Sequence, residues 1–400
     1  MLDRIEDRLI DAPEGLHRLG EPASEAALAE AGLAEEFAGL WERWDGLELG
    51  NGEAQFYPLA KHAQASAQAR EQGLLHDGDR VIGEQGSALL VLPADPWAEG
   101  GEVVSVEDDG QRAPLASTLL KLTIGLVAEM ALLYDEEGEY HDELFASNGA
   151  LRPKAERKLL RRRLDFDEDA PLPRYRLAQL LRRAGEARGA KGELERVLIC
   201  APEFTWAYFE LGRTLLDLGA TTEAARNFAS AAERADDPGL RAYFMAWQAR
   251  ASEGEPRAAL AAKLLELDPG FVAAQEAGLR EALEHGDPQA RDLLGLGLAV
   301  APTHVGLLSL RSVVAALPTP IDEDGPDEFD LPDEVDRELT RERELQDAMD
   351  PVAGRKPVAA VAADSRPWAK PGTVKPSGAK PSGAKRRGSA KPKPGGRGRR

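Results

Sequence analysis

Six histidines are spread along the chain at His17, His62, His76, His141, His285 and His304. No two of them stand at the spacing that would bring a pair of ring nitrogens onto one metal ion from one helix. The other candidates for chemistry also fail on spacing. Gly295-Leu296-Gly297 lacks a third glycine at the dinucleotide-binding offset and lies within a helical pattern. Asp322-Glu323-Asp324-Gly325 has its glycine at position 4 of a would-be calcium loop rather than 6, and position 12 is Asp333 where a bidentate Glu is needed. Cys200, the single cysteine, closes a helical pattern at a place where a small buried residue is expected. There is no Walker motif and no Gly-x-Ser-x-Gly elbow. The residues call for no metal, no cofactor and no catalytic set. What they offer is surface for binding.

Charge is the strongest such offer, and it is unevenly placed. Residues 1–150 carry 9 Lys+Arg against 31 Asp+Glu, residues 151–320 carry 24 of each, residues 321–365 carry 5 against 15, and residues 366–400 carry 12 basic residues and no acid. A flexible run of cations can release counterions from a polyanion. Lys385, Arg386, Arg387, Lys391, Lys393, Arg397, Arg399 and Arg400 are therefore candidate nucleic-acid contacts. The phrase Lys-Pro-Ser-Gly-Ala repeats just before them, and its prolines and missing apolar period predict a disordered tail. A second basic run, Arg152 to Arg163, has Leu159, Leu160 and Leu164 on one side and reads as a helix. It either pairs with the acidic run Asp135 to Glu143 or forms a phosphate-binding patch.

The elements that must carry these surfaces differ along the chain. After a frayed opening, Ser24 caps a helix starting at Glu25, and Phe37, Leu40, Trp41 and Trp44 share one face of another. Strand-like runs follow at Arg80 to Ile82, Ala88 to Leu92 and Glu102 to Val106. The turn Asp108-Asp109-Gly110 comes next, then a helix whose apolar line is read as Leu115, Leu119, Leu122, Leu126, Met130 and Leu133. This order predicts an α+β domain over residues 1–150. Within residues 20–134, Leu40-Trp41-Glu42-Arg43-Trp44-Asp45-Gly46-Leu47, Phe56-Tyr57-Pro58-Leu59, the unit Gly83 to Leu92 and Leu115 to Leu119 resemble the SUKH superfamily. That is the fold of yeast cell-wall-synthesis regulators and of many bacterial toxin-immunity proteins. The resemblance implies partner binding, with Trp41 and Trp44 as core anchors between helix and sheet.

Beyond a basic linker at 151–170 the sequence repeats. Leu177, Gly185, Ala190, Leu194 and Val197 match Leu211, Gly219, Ala224, Phe228 and Ala231 at an offset of 34 residues. Tyr208-x2-Leu211-Gly212-x2-Leu215, followed by Ala224-x3-Phe228 and Pro238, resembles the tetratricopeptide pattern. Small Gly212 and Ala224 let two helices approach, and Tyr208 and Phe228 fill the space around them. Two further units follow, marked by Ala242-Tyr243-Phe244 and by Gly278, Ala290 and Leu294, with prolines at Pro202, Pro238, Pro269 and Pro302. Val305 to Leu317 reads as a closing helix. An all-α solenoid is thus predicted over residues 171–317, then an acidic Pro-rich linker at 318–365 with a helix at Glu334 to Met349, then the tail at 366–400.

The resemblance implies a concave groove lined by Leu172, Tyr175, Gln179, Arg182 and Arg183 from the first unit, and by Trp206, Phe209, Arg213, Leu216 and Asp217 from the second. Exposed Trp206 and Phe209 beside Arg182, Arg183 and Arg213 would suit a peptide with apolar and acidic character. Trp206 fits groove and core equally. The expected protein is a multidomain, non-catalytic adaptor that binds a protein or peptide. An immunity protein of SUKH type and a nucleic-acid-associated protein anchored by its tail are the alternatives. Lone Cys200, the charged N-terminus and the interruption of Leu115 to Tyr134 by Lys121 and Glu129 point to a cytoplasmic chain with no membrane span.

Overall fold

The computed structural model describes residues 1–147 and 149–317. The acidic linker, the helix expected at Glu334 to Met349 and all eight tail residues named above lie outside them.

The opening residues are not frayed. Ile5 and Leu9 fall four apart on α1 (Leu2–Asp11) and are buried against the core. Arg43 reaches back to Asp3 at 2.8 Å and to Glu6. Then follow β1 (Arg18–Leu19), α2 (Glu25–Ala31), α3 (Glu35–Arg43), β2 (Leu47–Leu49), β3 (Ala54–Phe56), α4 (Leu59–Glu71), β4 (Arg80–Gln85), β5 (Ala88–Leu92), α5 (Pro96–Glu99), β6 (Val103–Val106), β7 (Arg112–Ala116) and α6 (Leu119–Leu133). All seven strands pair antiparallel in sequence order, so β1 and β7 are the sheet edges. Ser24 caps α2 by accepting the N–H of Ala27 at 3.2 Å. Trp41 is fully buried, and its indole N–H donates to the Tyr57 carbonyl at 2.8 Å.

Leu115 departs from the expected helix. It lies in β7, and the chain stays extended through Thr118, whose hydroxyl accepts the Lys121 N–H and starts α6. The four-residue step from Leu115 to Leu119 mimics a helical period, but a cap at Thr118 leaves the backbone N–H groups after it as the first helical donors. α4 and β1 to β3 carry no such clear period and were not expected. The face of α4 that meets the sheet is small and polar, built from Ser66, Ala69 and His62.

The basic run forms α7 (Pro153–Phe166), with Pro153 in its first turn. Arg162 and Arg163 turn inward, while Arg161 stays exposed. Arg162 and Arg163 are buried, Arg162 lies 4.4 Å from the Phe166 ring centroid, Arg163 pairs with Glu129 at 3.6 Å, and Arg157 pairs with Glu186 at 2.5 Å. Arg152 reaches the acidic run, donating to the Glu143 carbonyl. A phosphate patch is ruled out at Arg157, Arg162 and Arg163 by these partners and this burial.

The remaining helices of the described residues form a repeat-like helical array: α8 (Pro171–Arg183), α9 (Ala187–Cys200), α10 (Thr205–Asp217), α11 (Thr221–Arg234), α12 (Pro238–Arg250), α13 (Gly254–Leu267), α14 (Phe271–His285), α15 (Ala290–Val300) and α16 (Val305–Ala315). From α8 to α13 each helix packs on its predecessor. A Cβ at Gly212 would lie 2.6 Å from the Phe228 ring, which is why that position must be small. Pro238 does not end α11; it sits in the first turn of α12, where its missing N–H costs nothing.

The fourth hairpin breaks the order. α15 provides the main packing against α12 and α13, and α14 adds Phe271 at its start to the same core. Leu296 and Val300 of α15 join the main core, while Leu279, Ala282, Leu294, Leu307 and Val314 make a smaller cluster of their own. The two glycines set aside as a cofactor motif are close-approach positions here. A Cβ on Gly295 would lie 3.1 Å from the Arg250 guanidinium, and one on Gly297 would lie 2.5 Å from Leu307.

The sheet and the solenoid are joined without a gap. Asp167, at the end of α7, is 3% exposed; it accepts the N–H of Ser117 at 2.7 Å and its hydroxyl at 2.6 Å, and pairs with Lys121 at 3.3 Å. Behind this joint β7 lies against α8.

Candidate peptide-binding cleft

That joint places β6 and β7 of the sheet opposite α8 and the start of α10, and a cleft runs between them. Its inner chamber, about 370 Å³, is lined by Glu53, Ser87, Ser105, Glu107, Arg163 and Arg176 among others. Its outer chamber, about 300 Å³, is lined by Gln111, Ala113, Tyr175, Gln179, Phe204 and Trp206 among others. Ser105, Glu107, Leu172 and Arg176 line both, so the chambers adjoin.

The aromatic floor is preassembled. Tyr175 on α8 meets Phe204 edge-on at 5.1 Å, and the Tyr175 hydroxyl accepts a hydrogen bond from Gln179 at 2.9 Å. Burial, with the Glu210 carboxylate nearby, pushes the Tyr175 phenol well above its ordinary pKa, so it stays a neutral donor and acceptor. Trp206 opens α10, half-buried, its ring set edge-on to Phe209 at 5.7 Å and Phe244 at 5.4 Å. It serves groove and core at once, because a ring this large at the first turn covers its neighbours with one face and leaves the other over the cleft.

Three expected groove residues do something else. Phe209 is 4% exposed, not a groove residue; it is packed between Phe228, Tyr243, Phe244 and Trp247. Arg182 and Arg213 are not free cations. Arg182 bonds Glu210 at 2.5 Å and lies 3.4 Å from Asp217. Burial works against its charge, but Glu210 and Asp217 outweigh this and raise its pKa. Arg213 pairs with Asp292 of α15 at 3.2 Å and sits 5.2 Å from the Trp247 centroid. Arg250 joins the same carboxylate at 2.7 Å and lies 4.7 Å from the same ring centroid. Glu210, 1% exposed, is the hub: a buried carboxylate must be paired, and the two arginines of successive units do so. Arg183 is exposed at the end of α8 and donates weakly to the Gln179 carbonyl at 3.4 Å. Tyr208, expected in the core, is half-buried beneath the Arg234 guanidinium, 4.4 Å from its centroid.

No repeat pattern points to Ser105, Glu107, Gln111 and Ala113, because they come from the β6–β7 hairpin of the sheet. The one hint is Ser105, a polar residue inside the run Val103-Val104-Ser105-Val106, buried at 6% exposure. Arg176, one residue past a predicted groove position, is exposed and makes no ion pair among the described residues. Cys200 is half-buried with its sulfur 3.8 Å from Asp169. Burial and that carboxylate push the thiol up, away from nucleophilic chemistry.

No family model matches the chain, and no curated protein matches it. Among solved structures it is similar to one described as YrrB, a TPR protein with an unusual peptide-binding site, at 20% identity and a TM-score of 0.28, over 40% of this chain and 82% of that one. Among the described residues no helix is long and apolar enough to cross a membrane.

Proposed function

We propose that the chain is a non-catalytic adaptor that holds an extended segment of a partner protein in the cleft between β7 and the first two repeats. The observation that carries this is the joining of an aromatic floor, Tyr175, Phe204 and Trp206, to a polar wall from the sheet. Rigid aromatic anchors beside polar groups are what peptide recognition uses, since they give large contact area at small entropic cost. Peptides selected from a displayed library against the whole protein provide the test. Selected peptides should lose at least tenfold in affinity for Ala113→Trp, which fills the cleft from the sheet side, and for Trp206→Ala. Peptides that bind both folded variants as well as the parent would place the binding surface elsewhere.

The SUKH-like reading of residues 20–134 and the immunity role it implies are a further proposal, supported by the net charge of −22 over residues 1–150. A cationic toxin domain bound by residues of this domain outside the cleft would be its signature. The tail remains a proposed nucleic-acid contact on its composition, 12 cations and no acid over residues 366–400. A synthetic 366–400 peptide should bind duplex DNA at low salt and release it as salt rises; absence of binding would end that reading.

A further inference from the structure

The charges that line the cleft are not equally free, and the difference decides what kind of segment it fits. Arg112 is taken up by Asp79 at 3.0 Å and Glu99 at 2.8 Å, and Arg163 by Glu129 at 3.6 Å. On α8 and α10 Arg182 and Arg213 are taken up by Glu210, Asp217 and Asp292. An acidic segment would find little unspent positive charge; Arg176 alone stands open among the cations lining both chambers.

The acids are in the opposite condition. Glu107 lines both chambers and makes no ion pair among the described residues. Glu53 lines the inner chamber, and its only polar partner there is the neutral Tyr134 hydroxyl at 3.2 Å. Burial pushes the Glu53 carboxyl above its ordinary range; the Tyr134 bond pulls part of the way back, and the nearby Glu129 carboxylate adds a smaller push upward. A cation placed beside it would relieve both penalties. The wall also belongs to the part of the chain with a net charge of −22, whereas residues 151–320 balance to zero. Within about 8 Å in physiological salt that field is unscreened and draws cationic groups toward the sheet side.

We propose that the cleft selects a basic segment: a Lys or Arg side chain enters the inner chamber between Glu53 and Glu107, and the apolar or aromatic residue beside it lies on Tyr175, Phe204 and Trp206. This rests on the cleft being a peptide site and adds the chemistry of the peptide. It reverses the acidic partner that the arginines of the sequence suggested. The inner chamber, at about 370 Å³, takes a long side chain with room for bridging water. Arg176 sits where the segment's carbonyls or its own acidic neighbour would pass.

Fluorescence anisotropy on the full-length protein tests this with two labelled, end-capped hexapeptides. One alternates lysine with phenylalanine and leucine; the other replaces lysine with glutamate. The lysine probe should bind, and Ala113→Trp, a neutral block of the outer chamber, should weaken it at least tenfold. Glu107→Gln should weaken it about threefold and Glu53→Gln with Glu107→Gln about tenfold, the loss shrinking as salt rises. The glutamate probe should show no binding that Ala113→Trp removes, which separates the cleft from contacts with the basic tail. Circular dichroism keeps folding in view, and Glu107→Gln alone, at a half-exposed side chain with no ion pair, leaves the fold intact. If Ala113→Trp abolishes lysine-probe binding while the two Gln substitutions leave it unchanged, the cleft stands and the basic preference is overturned. If the lysine probe does not bind, or binds regardless of Ala113→Trp, the preference and the cleft fall together.

Discussion

The second and third repeats fill the same space from opposite sides. In the second, Gly212 on α10 is empty and Phe228 on α11 supplies the ring that occupies the gap. In the third, the match of Ala207-Tyr208-Phe209 to Ala242-Tyr243-Phe244 puts Trp247 where Gly212 would be, and α13 contributes only Ala261 and Leu264 as buried side chains. Trp247 turns back instead, with ring centroids 5.6 Å from both Phe228 and Phe209. What the two units share is a filled volume, not a residue pattern. Close packing demands the first and is indifferent to which helix provides it. The exchange also has a consequence for the concave face. A tryptophan on the first helix gives Arg213 and Arg250 a ring to lie against, and Asp292 of α15 then closes over both.

Substitutions that empty each unit test this exchange most strongly. Phe228→Ala and Trp247→Ala should each cost about 3–5 kcal/mol, read from denaturant unfolding, because both rings are buried at the meeting of two units. A cost below about 1 kcal/mol for Trp247→Ala would show that the third unit fills its gap by other means. Gly212→Trp should cost about 1–3 kcal/mol or more by forcing a ring into Phe228. Combined with Phe228→Ala it should cost less than the two singles together, with a coupling of about 0.5–3 kcal/mol. Strict additivity would mean that the volume is not interchangeable. The smallest effect belongs to Asp292→Ala. It separates two half-exposed arginines from one carboxylate and should cost about 1 kcal/mol, with faster amide exchange confined to α14 to α16. Equal loosening of α10 and α11 would make α15 a working part of the solenoid rather than its lid.

The same logic shows where the residues were readable. The 34-residue offset, the small Gly212 and Ala224, and the aromatic Phe228 state a local demand, that two adjacent helices approach, and the structure meets it. Ser24 as a cap and Trp41 as a core anchor are local in the same sense. Leu115 misled because an extended residue four before Leu119 imitates a helical step until the cap at Thr118 is seen. The arginines misled for a different reason. Arg182 finds Glu210 28 residues on and Arg213 finds Asp292 79 residues on, and no periodicity reports a partner at such a distance. Substituting Arg182 with Glu, which would look like a surface charge change, should therefore strand the buried Glu210 carboxylate and cost about 3–5 kcal/mol.

The sequence by itself determined the period of the solenoid, the acidic character of the first domain and the caps and close contacts that set each helix, since these depend on residues within one or two turns of each other. Tertiary structure decided which of the charges remain free. Packing around the sheet pairs Arg112 with Asp79 and Glu99, α7 against α6 pairs Arg163 with Glu129, α8 against α10 pairs Arg182 with Glu210, α15 brings Asp292 to Arg213, and Glu53 and Glu107 are left lining a cleft. A buried or half-buried charge must find its counterpart wherever the chain brings one, and which one it finds is a property of the packing, not of the neighbouring residues.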